Sequence, residues 1–117
     1  MDRSAAPDAQ NFDKSINEGK GWVLSEKGTI IAFAIRYPIN RIALLYCKGK
    51  FQRKGFGSKL LQKLEDEAKK EGLDSLSTEA SLISYELFLK NGWKIIRKEK
   101  VTINNIFFER YKMIKII

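Results

Sequence analysis

The sequence predicts a mixed α/β fold with the element order β-β-β-α-β-α-β-β and a mostly antiparallel sheet. Three observations predict it. Short runs of β-branched and aromatic residues alternate with turn residues, one long amphipathic helix occupies the middle, and strand-like runs flank that helix on both sides, as a parallel crossover requires. A length of 117 residues fits one domain.

The first half of the sheet is predicted to be a hairpin followed by a third strand. The runs Trp22–Glu26 and Thr29–Tyr37 are separated by Lys27-Gly28, which favours a tight turn. A third β-rich run covers Arg41–Cys47. The more polar residues 1–20 are expected to form a short helix near residues 8–18 or a disordered arm, so the predicted domain spans residues 21–117.

The long helix is predicted over Phe56–Glu71. Phe56, Leu60, Leu64 and Ala68 recur at four-residue steps and form one apolar stripe, and Gly72 follows where a helix would end.

The second half contains four further elements. Leu73–Glu79 is a short strand candidate, and Ile83–Lys90 is a short helix candidate that Asn91-Gly92 would stop. Two long β-rich runs, Trp93–Ile103 and Ile106–Ile116, flank Asn104-Asn105 and predict a terminal hairpin.

Composition excludes several kinds of chemistry. The chain has no histidine, so an imidazole base, a Ser-His-Asp triad and an HExxH zinc site are excluded, and we predict no metal site. The single cysteine, Cys47, excludes an internal disulfide and fits a cytoplasmic protein. No apolar run is long enough for a membrane span and the start lacks a signal-peptide core, so no membrane association is expected.

The charge balance points to an anionic partner. Lys and Arg number 22 against 14 Asp and Glu, a net charge of +8. Five of the cations lie between residues 48 and 59: Lys48, Lys50, Arg53, Lys54 and Lys59.

Those cations surround a glycine-bearing turn at residues 52–58. Gly55 and Gly57 stand at the start of the long helix, where the first N–H groups have no intrahelical partner and the helix dipole favours negative charge. The segment therefore predicts a phosphate-binding loop, although it lacks both the Walker pattern and the third glycine of a dinucleotide fingerprint. The alternative is that the two glycines only shape a tight turn between solvated lysines.

The motif Gln52-x-x-Gly55-x-Gly57 after a strand, followed by an amphipathic helix, a short strand, a short helix and Gly92-Trp93, resembles the GNAT superfamily of acetyl-CoA-dependent N-acetyltransferases. The resemblance covers roughly residue 20 to the end, and Thr78-Glu79-Ala80-Ser81 is similar to a small bacterial branch. It implies a central parallel strand pair splayed around the cofactor. The sequence is thereby identified as a GNAT-like acetyltransferase.

The resemblance implies acetyl-CoA as cofactor and a set of residues that bind it. The diphosphate would sit on backbone N–H groups of the glycine loop. The pantetheine arm would follow Leu45–Cys47, and an N–H near Cys47 would polarise the thioester carbonyl. The implied cofactor-binding residues are Leu45, Tyr46, Cys47, Gln52, Arg53, Lys54, Gly55, Phe56, Gly57, Ser58, Ser84 and Phe88.

The catalytic residues depart from the family pattern. The tyrosine that usually stands four residues before the final glycine is Phe88 here, and Tyr85 is the candidate substitute acid; the alternative is that its ring only packs. Without histidine the best base is Glu79, acting directly or through a water aligned by Tyr46, although a strand-end glutamate is equally expected to be merely solvated.

The predicted function is direct acetyl transfer to a primary amine of a small molecule or peptide. Compared with the family, the front of the chain is short by a strand and a helix, so a second subunit could complete the acceptor site, pairing through the edge strand Trp22–Glu26. Arg36 and Arg41 favour an acceptor with a carboxylate.

Two alternative functions stay open. One is a basic nucleic-acid-binding module, which is disfavoured because no aromatic-stacking motif accompanies the lysines. The other is a CoA-binding relic without activity.

Overall fold

Six strands form one sheet in the order β1-β2-β3-β4-β6-β5. We describe a computed structural model that covers residues 19–117; the helix predicted near residues 8–18 lies outside this part of the chain. The strands are β1 (Lys20–Glu26), β2 (Thr29–Arg36), β3 (Arg41–Cys47), β4 (Ser75–Ser81), β5 (Lys94–Ile103) and β6 (Ile106–Ile116). The helices are α1 (Phe56–Lys70) and α2 (Tyr85–Lys90), and a 3-10 turn covers Gly49–Phe51.

The pairing confirms the predicted mixed α/β fold. Strands β3 and β4 are parallel, and the other neighbouring strands are antiparallel. Helix α1 connects β3 to β4, as a parallel crossover requires. Both predicted tight turns adopt the left-handed conformation expected of two-residue hairpin loops: Lys27 and Gly28 have φ of 50° and 80°, and Asn104 and Asn105 have φ of 51° and 64°.

One face of the sheet packs against α1. The predicted stripe is confirmed, since Leu60, Leu64 and Ala68 are at most 4% exposed. They join the core with alternate sheet residues, among them Leu76 on β4 and Met113 on β6. Each such leucine contributes about 1.5–3 kcal/mol by leaving water, so this face holds the fold together. We call it the helix face of the sheet, and the other side the open face.

The end of α1 explains why β4 starts later than predicted. Gly72 takes a left-handed φ of 85°, and the N–H of Leu73 donates to the Ala68 carbonyl at 3.0 Å. This is a Schellman cap, which uses Leu73 to end the helix. The prediction that β4 starts at Leu73 and ends at Glu79 was therefore wrong by two residues at each end, because β4 pairs with β6 over Ser75–Ser81.

Helix α2 is shorter than predicted for a related reason. The hydroxyl of Ser81 accepts hydrogen bonds from the N–H groups of Ile83 and Ser84 at 3.3 and 3.1 Å, which makes a turn where the helix was expected. The start predicted at Ile83 was wrong, and that side chain is 91% exposed. At the other end the N–H of Trp93 caps α2 on the Phe88 carbonyl at 3.0 Å, so β5 begins at Lys94 rather than at Trp93.

Candidate active site

A cavity of about 190 Å³ opens between the parallel strands β3 and β4. The two strands pair at Arg41 with Ser77 and at Ile42 with Thr78, and then diverge. The hydroxyl of Thr78 donates to the Ile42 carbonyl at 2.9 Å and reinforces this junction. The cavity is lined by Ile42, Ala43, Leu44, Leu45, Thr78, Glu79, Ala80, Ser81, Ser84 and Phe88.

A β-bulge shapes the β3 wall of this cavity. Ile35 pairs with Leu44, but Arg36 pairs with Ile42, so Ala43 is the extra residue on β3. A bulge leaves its extra residue unpaired and bends the strand. Beyond Ile42, β3 has no strand partner on its β4 side within residues 19–117. The N–H of Lys48 donates to the Ile31 carbonyl on β2, so by strand alternation the backbone groups of Leu44 also face β2, whereas those of Leu45 face the cavity side. The Leu45 N–H can therefore donate to a bound carbonyl.

The resemblance implies an amide donor near Cys47, and the cavity extends along β3 from Ile42 to Leu45. The Cys47 side chain instead packs against the core. Burial raises the pKa of its thiol, which makes it a poor nucleophile. Leu45, which the resemblance assigns to the pantetheine arm, lines the cavity.

The glycine loop leads from β3 into α1 and presents unpaired N–H groups. Gly55 precedes the helix with a left-handed φ of 84°, and Arg53 also has a positive φ of 61°. The N–H of Lys59 donates to the Gly55 carbonyl at 3.1 Å. The N–H groups of Phe56, Gly57 and Ser58 stand before that bond, where a helix leaves donors free. Left-handed residues in such a turn create a concave group of amides that binds anions.

Side-chain contacts tie the loop to its surroundings. The Gln52 amide donates to the Cys47 carbonyl at 3.2 Å and holds the loop against the end of β3. The rings of Phe51 and Phe56 meet edge to face, 5.9 Å apart. At the far side, the Asn91 amide at the end of α2 donates to the Ser58 hydroxyl at 3.0 Å. The loop is thus braced from both β3 and α2.

The loop carries an uncompensated positive charge. Lys50 and Lys59 lie over the rings of Phe51 and Phe56, at 5.2 and 6.0 Å. In the described part of the chain, none of the five loop cations forms an ion pair with a carboxylate: Lys48, Lys50, Arg53, Lys54 and Lys59. Free cations beside unpaired amides suit a diphosphate better than they suit a purely structural turn.

The predicted catalytic residues lie on opposite faces of the sheet. Glu79 alternates with the buried Thr78 and Ala80, so it lies on the open face and lines the cavity. Tyr46 also lies on the open face, where its ring contacts Phe33 at 5.2 Å and stays 47% exposed. Tyr85 lies on the helix face, at the start of α2.

Glu79 is held by two cations. Its carboxylate accepts from Arg41 Nε and Lys112 Nζ, at 2.9 and 3.2 Å. Partial burial alone would raise the pKa of Glu79, but the hydrogen bonds and charges of Arg41 and Lys112 outweigh it and hold the pKa below its ordinary value. Glu79 is therefore ionised at neutral pH. It is also a weaker base than a free glutamate.

The helix-face side of the cavity is built by α2. Phe88 is 2% exposed and meets Trp93 edge to face at 5.0 Å. The hydroxyl of Ser84 accepts a hydrogen bond from the Ser81 N–H at 3.1 Å. Ser84 and Phe88, which the resemblance assigns to the cofactor site, both line the cavity. The ring of Tyr85 lies 4.6 Å from that of Tyr111 and is not among the cavity-lining residues described here.

Several cavity residues were missed from the sequence. They carry no catalytic or charged side chain that would single them out, and their place depends on the bulge and on the strand junction: Ile42, Ala43, Leu44, Thr78, Ala80 and Ser81. The alternation of Thr78 with Glu79 was the one signal that could have placed Thr78 on the helix face.

The expectation that Arg36 helps to bind an acceptor carboxylate is not supported, because the side chain is 2% exposed and paired with Glu71. Its guanidinium also lies 5.3 Å from the Trp22 ring, on the helix face.

Residues 19–117 hold neither a metal-ligand cluster nor a membrane-spanning helix. That part of the chain contains no cluster of three or more His, Cys, Asp or Glu side chains suited to a metal ion. It likewise contains no helix with the length and apolar character of a membrane span.

Comparison with known proteins agrees with this geometry. Residues 2–93 match the acetyltransferase (GNAT) family. No curated protein matches the sequence. Among solved structures, a GCN5-related N-acetyltransferase from Rhodopseudomonas palustris is similar with a TM-score of 0.87 and 25% identity, over 97% of this chain and 71% of that one.

Two further structures share the fold at lower identity. A GNAT family acetyltransferase from Elizabethkingia anophelis, solved with acetyl-CoA bound, has a TM-score of 0.77 and 17% identity, over 97% of this chain and 86% of that one. A ribosomal-protein-alanine N-acetyltransferase from Brucella melitensis has a TM-score of 0.76 and 17% identity, over 97% of this chain and 82% of that one.

A mixed sheet with a splayed parallel pair and a glycine loop at a helix start defines an acyltransferase of the N-acetyltransferase class. The chain belongs to the acetyltransferase (GNAT) family. The family and enzyme class predicted from the sequence are confirmed.

Proposed function

We propose that the protein transfers an acetyl group from acetyl-CoA directly to a primary amine of a small molecule or peptide. The observation that carries the proposal is the cavity between β3 and β4, which reaches from the helix face to Glu79 on the open face. A thioester can enter such a passage from one side and an amine from the other.

The residues present fit acetyl-CoA, which supplies the acetyl group as an activated thioester. The unpaired N–H groups of Phe56, Gly57 and Ser58 and the free loop cations suit its diphosphate. The backbone amide of Leu45 would donate to the thioester carbonyl. Donors placed in advance cost no reorganisation, and one such donor contributes about 3 kcal/mol in the transition state.

The acceptor amine arrives protonated and must lose a proton before it can attack. Glu79 is ionised and lies at the cavity, so it would bind the ammonium form and accept the proton through a water. Tyr46 shares the open face and would align that water. Because Arg41 and Lys112 lower the pKa of Glu79, we assign it a positioning and relay role more than that of a strong base.

The leaving thiolate needs little assistance, because a thiol ionises near pH 8.5. The side chain at the cavity is Phe88, which cannot give a proton. Tyr85 is one turn away on α2 and would act as the acid through its hydroxyl. Its ring packs against that of Tyr111 in a tilted arrangement, and the hydroxyl is the part of the side chain that can donate a proton.

The proposal extends to the acceptor class, the assembly and the location. The Brucella melitensis neighbour acts on a ribosomal protein by its name, which makes a peptide amine one candidate beside small molecules. A dimer would form through β1, an edge strand of the sheet. The single cysteine supports a cytoplasmic location.

A second candidate is a CoA-binding protein without turnover, which Phe88 at the cavity favours. Calorimetry with acetyl-CoA, followed by transfer assays on an amine panel, separates the two. We expect micromolar binding and measurable transfer. Binding without transfer would favour the second candidate, and no binding at millimolar acetyl-CoA would refute both.

A further inference from the structure

The open face next to the cavity carries more positive than negative charge. Glu79 is paired with Arg41 and Lys112, and Glu99 is paired with Arg97 and Arg110. Strand alternation and register place all six side chains on this face. Four cations thus share two carboxylates, which leaves a net charge of two positive units beside the site where an amine would enter.

Two of these cations lie on β6, beside the β4 wall of the cavity. Lys112 on β6 is the register partner of Glu79, and Arg110 is the register partner of Ser81. Both Glu79 and Ser81 line the cavity. Directly paired residues on neighbouring strands have Cβ atoms about 4.5–5.5 Å apart, so Lys112 and Arg110 lie within reach of a molecule in the cavity mouth.

Both side chains keep unused donors. The Lys112 ammonium contacts one carboxylate oxygen, at 3.2 Å, and has three protons to donate. Arg110 donates from Nε to Glu99 at 2.9 Å, and within residues 19–117 its two terminal nitrogens have no acceptor. The Lys112 side chain is 25% exposed and that of Arg110 is 34% exposed. A ligand can therefore reach both, and their partial burial strengthens charged hydrogen bonds to it.

We propose that the acceptor is an amine that also carries a carboxylate, and that Arg110 and Lys112 bind this carboxylate. The inference rests on the proposed function, since it names the substrate class of the same site. Arg110 is the diagonal neighbour of Glu79, one strand over and two residues along, so an amine beside Glu79 and a carboxylate beside Arg110 are separated by about 7–8 Å. A straight-chain amino acid with several methylene groups between its amine and its carboxylate has this span.

The test compares straight-chain amino acids, from glycine to 6-aminohexanoate, with their carboxamides, using the full chain and saturating acetyl-CoA. The carboxamide amine is less basic, so at neutral pH more of it is in the reactive form and chemistry alone favours it. We expect kcat/KM to favour the acid at least about 10-fold at one chain length, with most of the difference in KM.

Arg110→Gln removes the terminal donors without touching Glu79. It should abolish the preference for the acid by raising its KM about 10- to 100-fold, while the carboxamide is unaffected. Lys100→Gln, which removes a cation from the helix face of β5, is the matched control and should keep the preference. An equal rate for acid and amide at every length, or a preference that survives Arg110→Gln, overturns the inference.

A direct binding measurement tests the same inference without relying on turnover. Calorimetry on the CoA-saturated protein should show binding of the acid and not of the carboxamide, and Arg110→Gln should lose it. Equal binding of both compounds overturns the inference even though CoA binds. A protein that binds no CoA fails the proposed function instead, so the two failures are distinguishable.

Discussion

Gly57 and Leu87 lie so close together that a side chain at position 57 would require the Leu87 side chain to move. A Cβ atom on Gly57 would lie 3.0 Å from Cδ2 of Leu87. A glycine as the second residue of α1 lets the Leu87 side chain of α2 pack directly on the start of that helix. The glycine of the motif thus serves the contact between two helices in addition to any contact with a ligand.

The first prediction concerns Gly57→Ala. The added methyl should displace Leu87 and shift α2, whose Phe88 and Ser84 line the cavity, so we expect the Kd for acetyl-CoA to rise about 10-fold. Stability should change by less than about 1 kcal/mol, since the gain in helix propensity offsets the crowding. Calorimetry measures the effect on binding, and chemical denaturation measures the effect on stability.

A double-mutant cycle is the control. Leu87→Ala should relieve the effect of Gly57→Ala on the Kd for acetyl-CoA, and strict additivity of the two substitutions would contradict this explanation.

The second prediction uses two glycines at opposite ends of α1. Gly55 and Gly72 have φ of 84° and 85°, and neither has an atom within 4 Å of an added Cβ. Alanine at either position should therefore cost about 1–2 kcal/mol of stability from backbone strain alone. Only Gly55→Ala should also weaken acetyl-CoA binding, because only Gly55 shapes the loop that presents the free N–H groups. Equal Kd values for the two variants would remove the loop from the binding site.

Much of this fold follows from local patterns in the sequence. The four-residue steps of α1 and the turns at Lys27-Gly28 and Asn104-Asn105 each depend on a few neighbouring residues, and all were predicted correctly. The starts of β4 and β5 were predicted wrongly. Leu73 and Trp93 are apolar, which favours strand, but their N–H groups cap the ends of the two helices.

The candidate site was predictable only in part. The glycine loop has a sequence motif, and Glu79 was placed at the cavity. The bulge at Ala43 has no local signal, because it depends on how β3 pairs with β2. The sequence alone also could not distinguish the roles of Arg36 and Arg41, because strand register sets the face of the sheet on which each side chain lies.

The third prediction concerns Glu79→Gln. Loss of the carboxylate removes the group that holds the ammonium form and relays its proton, so kcat/KM for the amine should fall about 10²-fold, while the Kd for acetyl-CoA stays unchanged. Glu99→Gln is the matched control: it also pairs with two cations on the open face but does not line the cavity. Steady-state kinetics on both variants decide the matter, and unchanged turnover in Glu79→Gln would exclude Glu79 from the mechanism.

The fourth prediction is the response of stability to acid. Hydrogen bonds from Arg110 lower the pKa of Glu99, and those from Arg41 and Lys112 lower the pKa of Glu79 against the effect of burial. A carboxylate with a lowered pKa in the folded state stabilises the fold above its ordinary value of 4.5 and loses that contribution as the pH falls through the folded pKa.

Urea denaturation should therefore give a constant free energy of unfolding from pH 7 to about 5.5 and a decline below about 4.5. The double variant Glu79→Gln, Glu99→Gln should show a shallower decline. Asp74→Asn removes a carboxylate that has no ion pair in the described part of the chain, so its pH profile should parallel the wild type. Identical slopes in all three proteins would show that the two open-face carboxylates do not contribute.

The last prediction tests the acid on the leaving-group side. Tyr85→Phe keeps the ring that contacts Tyr111 at 4.6 Å and removes only the hydroxyl, so stability should be unchanged. If the hydroxyl protonates the departing thiolate, kcat should fall about 10²-fold, at the low end for a general acid because a thiolate leaves readily. The KM for acetyl-CoA should not change.

The converse variant Phe88→Tyr places a hydroxyl at the cavity itself and should restore kcat in the Tyr85→Phe background. A Tyr85→Phe protein with wild-type kcat would instead show that this tyrosine only packs and that the thiolate departs without an acid.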